Sequence, residues 1–371
     1  METRIREKLS IIPDYRHSSY IGHKLSDVLI IIMTAVICGL DQLNDIIVFA
    51  KERTEFFAQN FKITKIPSKP TLSRILNMIK AEAVVKVIIE LMKEQSEYLG
   101  EIIAVDGKAI RSTAEKGRPH SALQILTAYM VESGVVLAQE AIHEKTNEIP
   151  VMQDMLNYID VKGKIITGDA MHCQRESCGK ITDNEHEGDY VFGLKENQKS
   201  LHDDVVLFFS DKINNDCIET HKAVEQNGGR LECRVCRKAT DIDFLSYHEW
   251  PALKSIFEVH RAITSKNGRV FTEETSYYIT SLDTTAAELL RISRAHWMIE
   301  SLHWMLDTDF SEDECELLSE NGQQSLNVFR KFALFIHKSY MAKQPKKRSI
   351  KSNLLRCLVS ESALLEIFRC L

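Results

Sequence analysis

The stretch "IIAVDGKAIR" (102–111) places an aspartate where an apolar run ends. Ile102 to Val105 read as a buried strand, since a short unbroken apolar run suits a strand covered on both faces. Asp106 then stands where that strand surfaces, ahead of Gly107 and Lys108. "GKIITGDAMH" (163–172) repeats the pattern, with Ile165 to Gly168 leading into Asp169. An Asp at a strand end is also an ordinary turn former. Two such ends in one chain ask for a common cause.

Outward from these two runs, strand-like and helical segments alternate between residues 100 and 200. "LQILTAYMV", "GVVLAQEAI" and "DYVFGLK" read as strands, and "PVMQDMLNYI" and the residues after Gln174 as helices. Three strands joined by short turns, followed by strand–helix–strand units, predict an α/β mixed sheet with helices on both faces. Ligands of such sheets bind outside the carboxyl ends of the strands, where both aspartates fall.

Residues 1–97 read as all-helical, with apolar residues at helical spacing through "DVLIIIMTAVICGL" and "LNDIIVFAKERTEFFAQNF". In "IPSKPTLSRIL", Pro67 and Pro70 mark a turn, and Ser68 or Thr71 caps the helix that follows. A tight turn before a capped helix with Arg74 outward suits a DNA-reading helix-turn-helix, although any helical bundle contains such turns. Residues 98–340 hold the mixed sheet. Within them, about 200–285 read as a β-rich insertion: a loop at Gly228 and Gly229, then strands "LSYHEW", "SIFEVHRAIT" and "TSYYITS". "TAAELLRISRAHWMIESLHWMLDTDF" then predicts a long helix with a core stripe of Leu290, Ile292, Ala295, Ile299, Leu302 and Leu306. Its flank carries His296, Glu300, His303 and Asp307. Residues 341–371 read as a basic linker and a short amphipathic helix.

Bulk properties bound the function. The 371 residues suffice for two or three domains. The longest apolar run, from Val28 to Leu40, is too short for a bilayer, which takes about 20 residues. Nine cysteines without regular spacing read as reduced thiols of a cytoplasmic protein, and Cys233-x-x-Cys236 lacks a partner pair for zinc. A net charge of −6 argues against an overall basic nucleic-acid surface. Basic residues nevertheless cluster at Arg230, Arg234, Arg237 and Lys238, and at Lys343, Lys346, Lys347, Arg348 and Lys351.

Two strand-end aspartates and a helix glutamate, Glu300, have one joint chemistry. Hard divalent cations take oxygen ligands from a few carboxylates, and paired ions serve phosphoryl transfer. Carboxylates crowded in a cleft resist ionising together, and a cation removes that cost. Each residue alone also has a bland reading, as turn former or solvated helix side chain.

Several ordered blocks carry a resemblance. "AVDGKAIR" (104–111), "KTNEIP" (145–150), "TGDAMHCQ" (167–174), "YVFGLKENQ" (190–198) and "RAHWMIESLHWMLDTDFSED" (294–313) resemble the blocks of the ISAs1 insertion-sequence transposases, the group that includes the H-repeat-associated proteins. The resemblance covers nearly the whole chain, and "PSKPTLSRIL" resembles part of the associated N-terminal domain. It implies an RNase H-like DDE catalytic domain with Asp106, Asp169 and Glu300 as catalytic residues and metal ligands. The implied cofactor is Mg²⁺, with Mn²⁺ as a substitute. Broader IS4-like relatives carry Tyr-x2-Arg-x3-Glu-x6-Lys, whereas here Arg294 lies six before Glu300 and Asp307 stands at the Lys position. Near the start, "PDYR" (13–16) replaces Asp-Pro-Arg.

The implied partners are DNA, as terminal inverted repeats and target, and a second copy of the chain on that DNA. Lys108, Lys195, Lys199, Arg230, Arg234 and Arg294 are the candidates for DNA contacts. His172, Gln174, Asn197 and His296 are candidates to support the carboxylates or the substrate. Trp297 and Trp304 are expected to pack within the protein. A metal-dependent nuclease without strand transfer and a DNA-binding remnant without catalysis are the alternatives.

Overall fold

A computed structural model describes residues 2–17, 19, 21–114, 122–143, 147–265, 269–315, 317, 319–345 and 348–370. Six helices come first: α1 (Glu2–Ser10), α2 (Leu25–Ile37), α3 (Leu43–Glu52), α4 (Thr54–Phe61), α5 (Lys69–Met78) and α6 (Ala81–Gln95). The apolar run that reads as a core helix forms α2, which is buried along its length. Ser68 caps α5 by accepting from Thr71 N at 3.4 Å, with Pro70 inside the first turn, where its missing N–H costs nothing. Arg74 points outward.

The sheet begins with β1 (Ile102–Ile110), β2 (Leu123–Met130) and β3 (Val136–Ile142), an antiparallel meander. After α7 (Glu148–Met155), β4 (Ile165–Gly168) lies parallel to β1; after α8 (Arg175–Thr182), β5 (Asp189–Leu194) lies parallel to β4. Helix α9 (Lys199–Ser210) leads into β6 (Glu219–Asn227), β7 (Arg230–Ala239), β8 (Ser255–Ser265) and β9 (Val270–Thr280). These four strands are continuous with the main sheet, because β9 pairs antiparallel with β5 from Val191↔Thr280 to Leu194↔Tyr277. The result is one nine-stranded sheet in the order β3-β2-β1-β4-β5-β9-β8-β7-β6.

Two local expectations are corrected here. The loop at Gly228 and Gly229 is the tight turn of the β6–β7 hairpin, whose strands were not expected, and Gly228 takes φ +59°, a conformation glycine adopts without strain. Their flanking strands are rich in Glu, Lys and Arg, which hides the strand period. "LSYHEW" falls across a 3₁₀ turn (Asp243–His248) and the residues after it rather than on a strand.

Helix α10 (Ala286–Phe310) has the predicted stripe: Leu290, Ile292, Ile299, Leu302 and Leu306 are buried, and Ala295 is partly so. It is followed by α11 (Glu320–Ala342), α12 (Ile350–Val359) and α13 (Glu361–Phe368). The tail thus carries two helices where one is expected, divided at Ser360, which caps α13. Lys346 and Lys347 of the basic segment, and Lys145 and Thr146 of "KTNEIP", lie outside the described residues. The larger of two apolar clusters runs from Ile5 through the sheet to Phe368, with α2 and α6 sharing their buried faces with α11 and β3; the smaller one joins Phe257 and Val191 to Leu289, Leu290 and Ile292 at the start of α10. No helix among the described residues is long and apolar enough to cross a membrane.

Candidate active site

Asp106 is not at the end of its strand. β1 continues to Ile110, and Asp106 pairs across to Thr127 of β2. What ends before it is the other neighbour: the parallel pairing of β1 with β4 stops at Ala104↔Thr167. Asp106 therefore lies two residues beyond the last β1 residue paired with β4. The expectation that Asp106 ends its strand is therefore corrected: the strand that stops is the neighbour, and periodicity does not reveal where a neighbouring strand stops.

Asp169 follows β4 directly. Its Oδ1 accepts from Met171 N at 2.9 Å, capping the 3₁₀ turn Ala170–His172. Gly168 before it is hemmed in: a Cβ there would lie 3.0 Å from the Cβ of His172 and 3.1 Å from the Phe192 ring. Tight packing therefore fixes the point at which the chain leaves the sheet. Glu300 lies on the exposed flank of α10. Asp169 and Glu300 both line a cleft of about 280 Å³ with Thr167, Lys195, His296 and Trp297.

Two histidines of α10 stand beside this cleft. His303 Nδ1 stands 3.3 Å from Asp106 Oδ2, one turn along α10 from Glu300. His296 Nδ1 lies 3.3 Å from the Thr167 hydroxyl. Burial lowers the pKa of His296, with the charges of Asp106 and Asp169 pulling the other way. The Glu300 carboxyl is shifted above its ordinary range, first by partial burial and then by the negative charge of Asp106. The two carboxylates therefore sense each other across the cleft. Among the described residues, no Lys or Arg forms an ion pair with Asp106, Asp169 or Glu300.

Among the described residues, no three His, Cys, Asp or Glu side chains close around a point that could hold a metal ion. The donor chemistry nevertheless suits a hard divalent cation. Asp169 and Glu300 line one cleft, Asp106 acts on Glu300 through its charge, and none of the three forms an ion pair with Lys or Arg among the described residues.

The candidates for supporting roles divide. Asn197 Nδ2 donates to Ala170 O at 2.6 Å, and Gln174 Nε2 to Met171 O at 3.0 Å. Gln198, which the sequence does not single out, donates to Cys173 O at 3.0 Å and to Gln174 Oε1 at 3.2 Å. These amides clamp the loop that carries Asp169 to the turn after β5. His172 is fully buried, with Nε2 3.2 Å from Glu148 Oε2 but off line for a hydrogen bond. Glu148 also fills the space beside Gly107, where an added Cβ would lie 2.4 Å from its Oε1. In the sequence Glu148 reads only as an acid in the first turn of a helix, favoured there by the helix dipole.

The basic candidates are mostly occupied within the protein. Lys108 turns inward, its ammonium bonded to Asp307 and to the buried Glu312. Lys199 pairs with Asp203 at 2.8 Å, Arg234 with Glu232 at 2.6 Å, and Arg294 with Glu225 at 2.5 Å. Arg230 lies over the Phe271 ring. Lys195 is exposed at the cleft rim. Trp297 and Trp304 are not packed away as expected: they are 47% and 65% exposed, on the same flank of α10 as Glu300. Cys233 and Cys236 are free thiols on β7, and residues three apart on a strand point to opposite faces.

Comparison with known proteins accords with this arrangement. Residues 6–92 match the family model described as DDE_Tnp_1-associated, and residues 97–336 match the model described as Transposase DDE domain. A putative transposase, YncI, of Escherichia coli O157:H7 is 36% identical over 342 residues, covering 88% of this chain and 85% of its own. The H repeat-associated putative transposase YhhI of Escherichia coli (strain K12) is 32% identical over 377 residues, covering 97% and 99%. Among solved structures, a piggyBac transposase synaptic complex with hairpin DNA matches at TM-score 0.46 and 11% identity over 99% of this chain and 79% of that one, too loose a likeness to bear on the fold. The family match over most of the chain and the coverage of these relatives give one statement: this chain belongs to the DDE-domain transposases, enzymes that transfer phosphoryl groups on DNA.

Proposed function

We propose that the chain cleaves the ends of an insertion sequence and joins the freed 3′-hydroxyl to target DNA, with Asp106, Asp169 and Glu300 holding divalent ions, Mg²⁺ or Mn²⁺. The observation that supports this reading is that Asp169 and Glu300 line one cleft, that the charge of Asp106 reaches Glu300, and that no Lys or Arg among the described residues forms an ion pair with any of the three. Bound divalent ions would activate an attacking oxygen and balance charge on the leaving one. The meander β1–β2–β3 followed by parallel β4 and β5, in the order β3-β2-β1-β4-β5, supports an RNase H-like core.

The chain's own groups have separable tasks in this reading. Asp106 is oriented by His303, and Asp169 by its capping bond to Met171 N. The amides of Asn197, Gln198 and Gln174 keep the Asp169 loop from swinging into the cleft. Lys195, exposed at the rim, is placed to meet a backbone phosphate, a contact that positions DNA without reading its sequence. Water and a DNA hydroxyl serve in turn as the attacking group, so a single site suffices for both steps.

The test uses labelled DNA carrying the element's ends, Mg²⁺, and wild type beside Asp169→Ala. Cleavage and joining by wild type, both lost in the variant, are the expected outcome. Cleavage without joining would reassign the chain as a nuclease. Binding without cleavage in both proteins would leave only a DNA-binding remnant.

A further inference from the structure

Two residues along β1 from Asp106, Lys108 projects from the same face of the strand, because strand side chains alternate. Four residues along α10 from His303, Asp307 projects from the same face of the helix. These four side chains form two parallel rungs: Asp106 to His303 at 3.3 Å, and Lys108 to Asp307. Two residues of strand advance about 6.7 Å, and four residues of helix about 6 Å. The steps match closely enough for both rungs to close at once, and a slide of α10 by one residue would break both.

The second rung is fixed to the frame of the molecule. Lys108 also bonds to Glu312, which is wholly buried. Asn327 Nδ2 of α11 donates to Glu312 Oε1, and Arg330 Nη1 lies 3.8 Å from the same oxygen. Arg330 Nε in turn donates to Asp41 Oδ2, just beyond α2, at 2.8 Å. On the strand side, Lys331 donates to Thr127, the β2 partner of Asp106, at 2.8 Å and to Gln139 at 2.9 Å. A salt bridge that only decorated the surface would lack these buried anchors.

We propose that Lys108 is a positioning residue: clamped between Asp307 and Glu312, it sets the register of α10 along β1 and so the separation of Glu300 from Asp106. This rests on the reading that those carboxylates share a divalent ion. It excludes the simpler role of Lys108 as a phosphate contact, because its ammonium is engaged by two carboxylates and its side chain is 12% exposed.

The sign of one measurement separates positioning from plain electrostatics. Deleting a cation beside an acidic site strengthens cation binding through space. Deleting a positioning group weakens it, by about 10-fold or more for an outer-shell partner. Mn²⁺ is titrated calorimetrically into the full chain without DNA, for wild type, Lys108→Met, Lys108→Arg, Asp106→Ala and Asp169→Ala. We expect Lys108→Met to bind Mn²⁺ at least about 10-fold more weakly, Lys108→Arg to recover much of the loss, and both aspartate variants to lose binding. Equal or tighter binding by Lys108→Met, with binding lost in the aspartate variants, overturns the positioning role alone. Unchanged binding in the aspartate variants overturns the metal site itself. Should Lys108→Met fail to fold, Glu312→Gln keeps the size of that partner, and hydrogen exchange of residues 300–307 in the metal-free chain supplies the readout. Faster exchange there supports the clamp, and unchanged exchange overturns it.

Discussion

Two regions of this molecule gather charged side chains in opposite ways. At the cleft, Asp106, Asp169 and Glu300 have no Lys or Arg ion-pair partner among the described residues, and the Glu300 carboxyl is pushed up in pKa first by partial burial and then by the charge of Asp106. Beneath it, Asp41, Lys108, Glu312, Arg330 and Lys331 are buried or nearly so, and each finds a partner. Burial raises the pKa of Glu312, but Arg330 and Lys108 outweigh it and hold the carboxyl below its ordinary range. The contrast teaches where to look for function. Buried charges must be answered or the fold fails. Charges left unanswered at an opening are tolerable because water screens them, and they are available to a ligand.

The comparison breaks most visibly with Glu300→Gln. Single-turnover cleavage should fall at least about 1000-fold, roughly 4 kcal/mol of transition-state stabilisation. The melting temperature should hold or rise, because repulsion with Asp106 is relieved. A parallel loss of both would place Glu300 in the structural class instead. The opposite pattern is expected of Arg330→Met, which leaves Asp41 and Glu312 buried without their main cation. Urea unfolding should show a loss of about 3–5 kcal/mol.

A smaller effect concerns pH. Lys331 is fully buried, and burial pulls its pKa down from 10.5 to about 7, with Glu312 opposing. The unfolded chain therefore binds more protons between about 7 and 10.5, and stability should rise with pH across that window. Denaturant midpoints of wild type should climb there, and those of Lys331→Met should climb less. Equal slopes would mean that the amine is charged in the folded protein throughout. The smallest change is Asn197→Ala, which removes one hydrogen bond to the Asp169 loop. It should cost about 1 kcal/mol in stability and slow cleavage more than it weakens DNA binding, read as separate rate and binding measurements.

Part of the cleft lining was legible before the fold was known. Asp106 and Asp169 stand out because each follows a short apolar run, whereas Glu300 reads as a flank residue of an amphipathic helix and gains meaning only beside them. Gln174, Asn197 and His296 come from the blocks that carry the family resemblance, and their contacts were not readable there. Glu148, Gln198, His303 and Glu312 were harder. Glu312 sits in the acidic run "SEDE" (311–314), which reads as solvated, yet it is wholly buried. Trp297 and Trp304 misled in the other direction, since aromatic side chains on an amphipathic helix usually face the core. The strands β6 and β7 were hidden because their many charged residues obscure the alternation that marks a strand.

By itself, the order of residues determined the helices, most strands and the caps, because each is encoded by spacing within a short window, and it offered the three acids as candidates. Only the tertiary structure decided which charges are free. Lys108 lies 199 positions before Asp307 and 204 before Glu312, and no local pattern links residues so far apart. Packing brought them within bonding distance, and burial then decided that they must pair. The same packing ended β4 beside a continuing β1 and left Asp106 beyond the last pair between them.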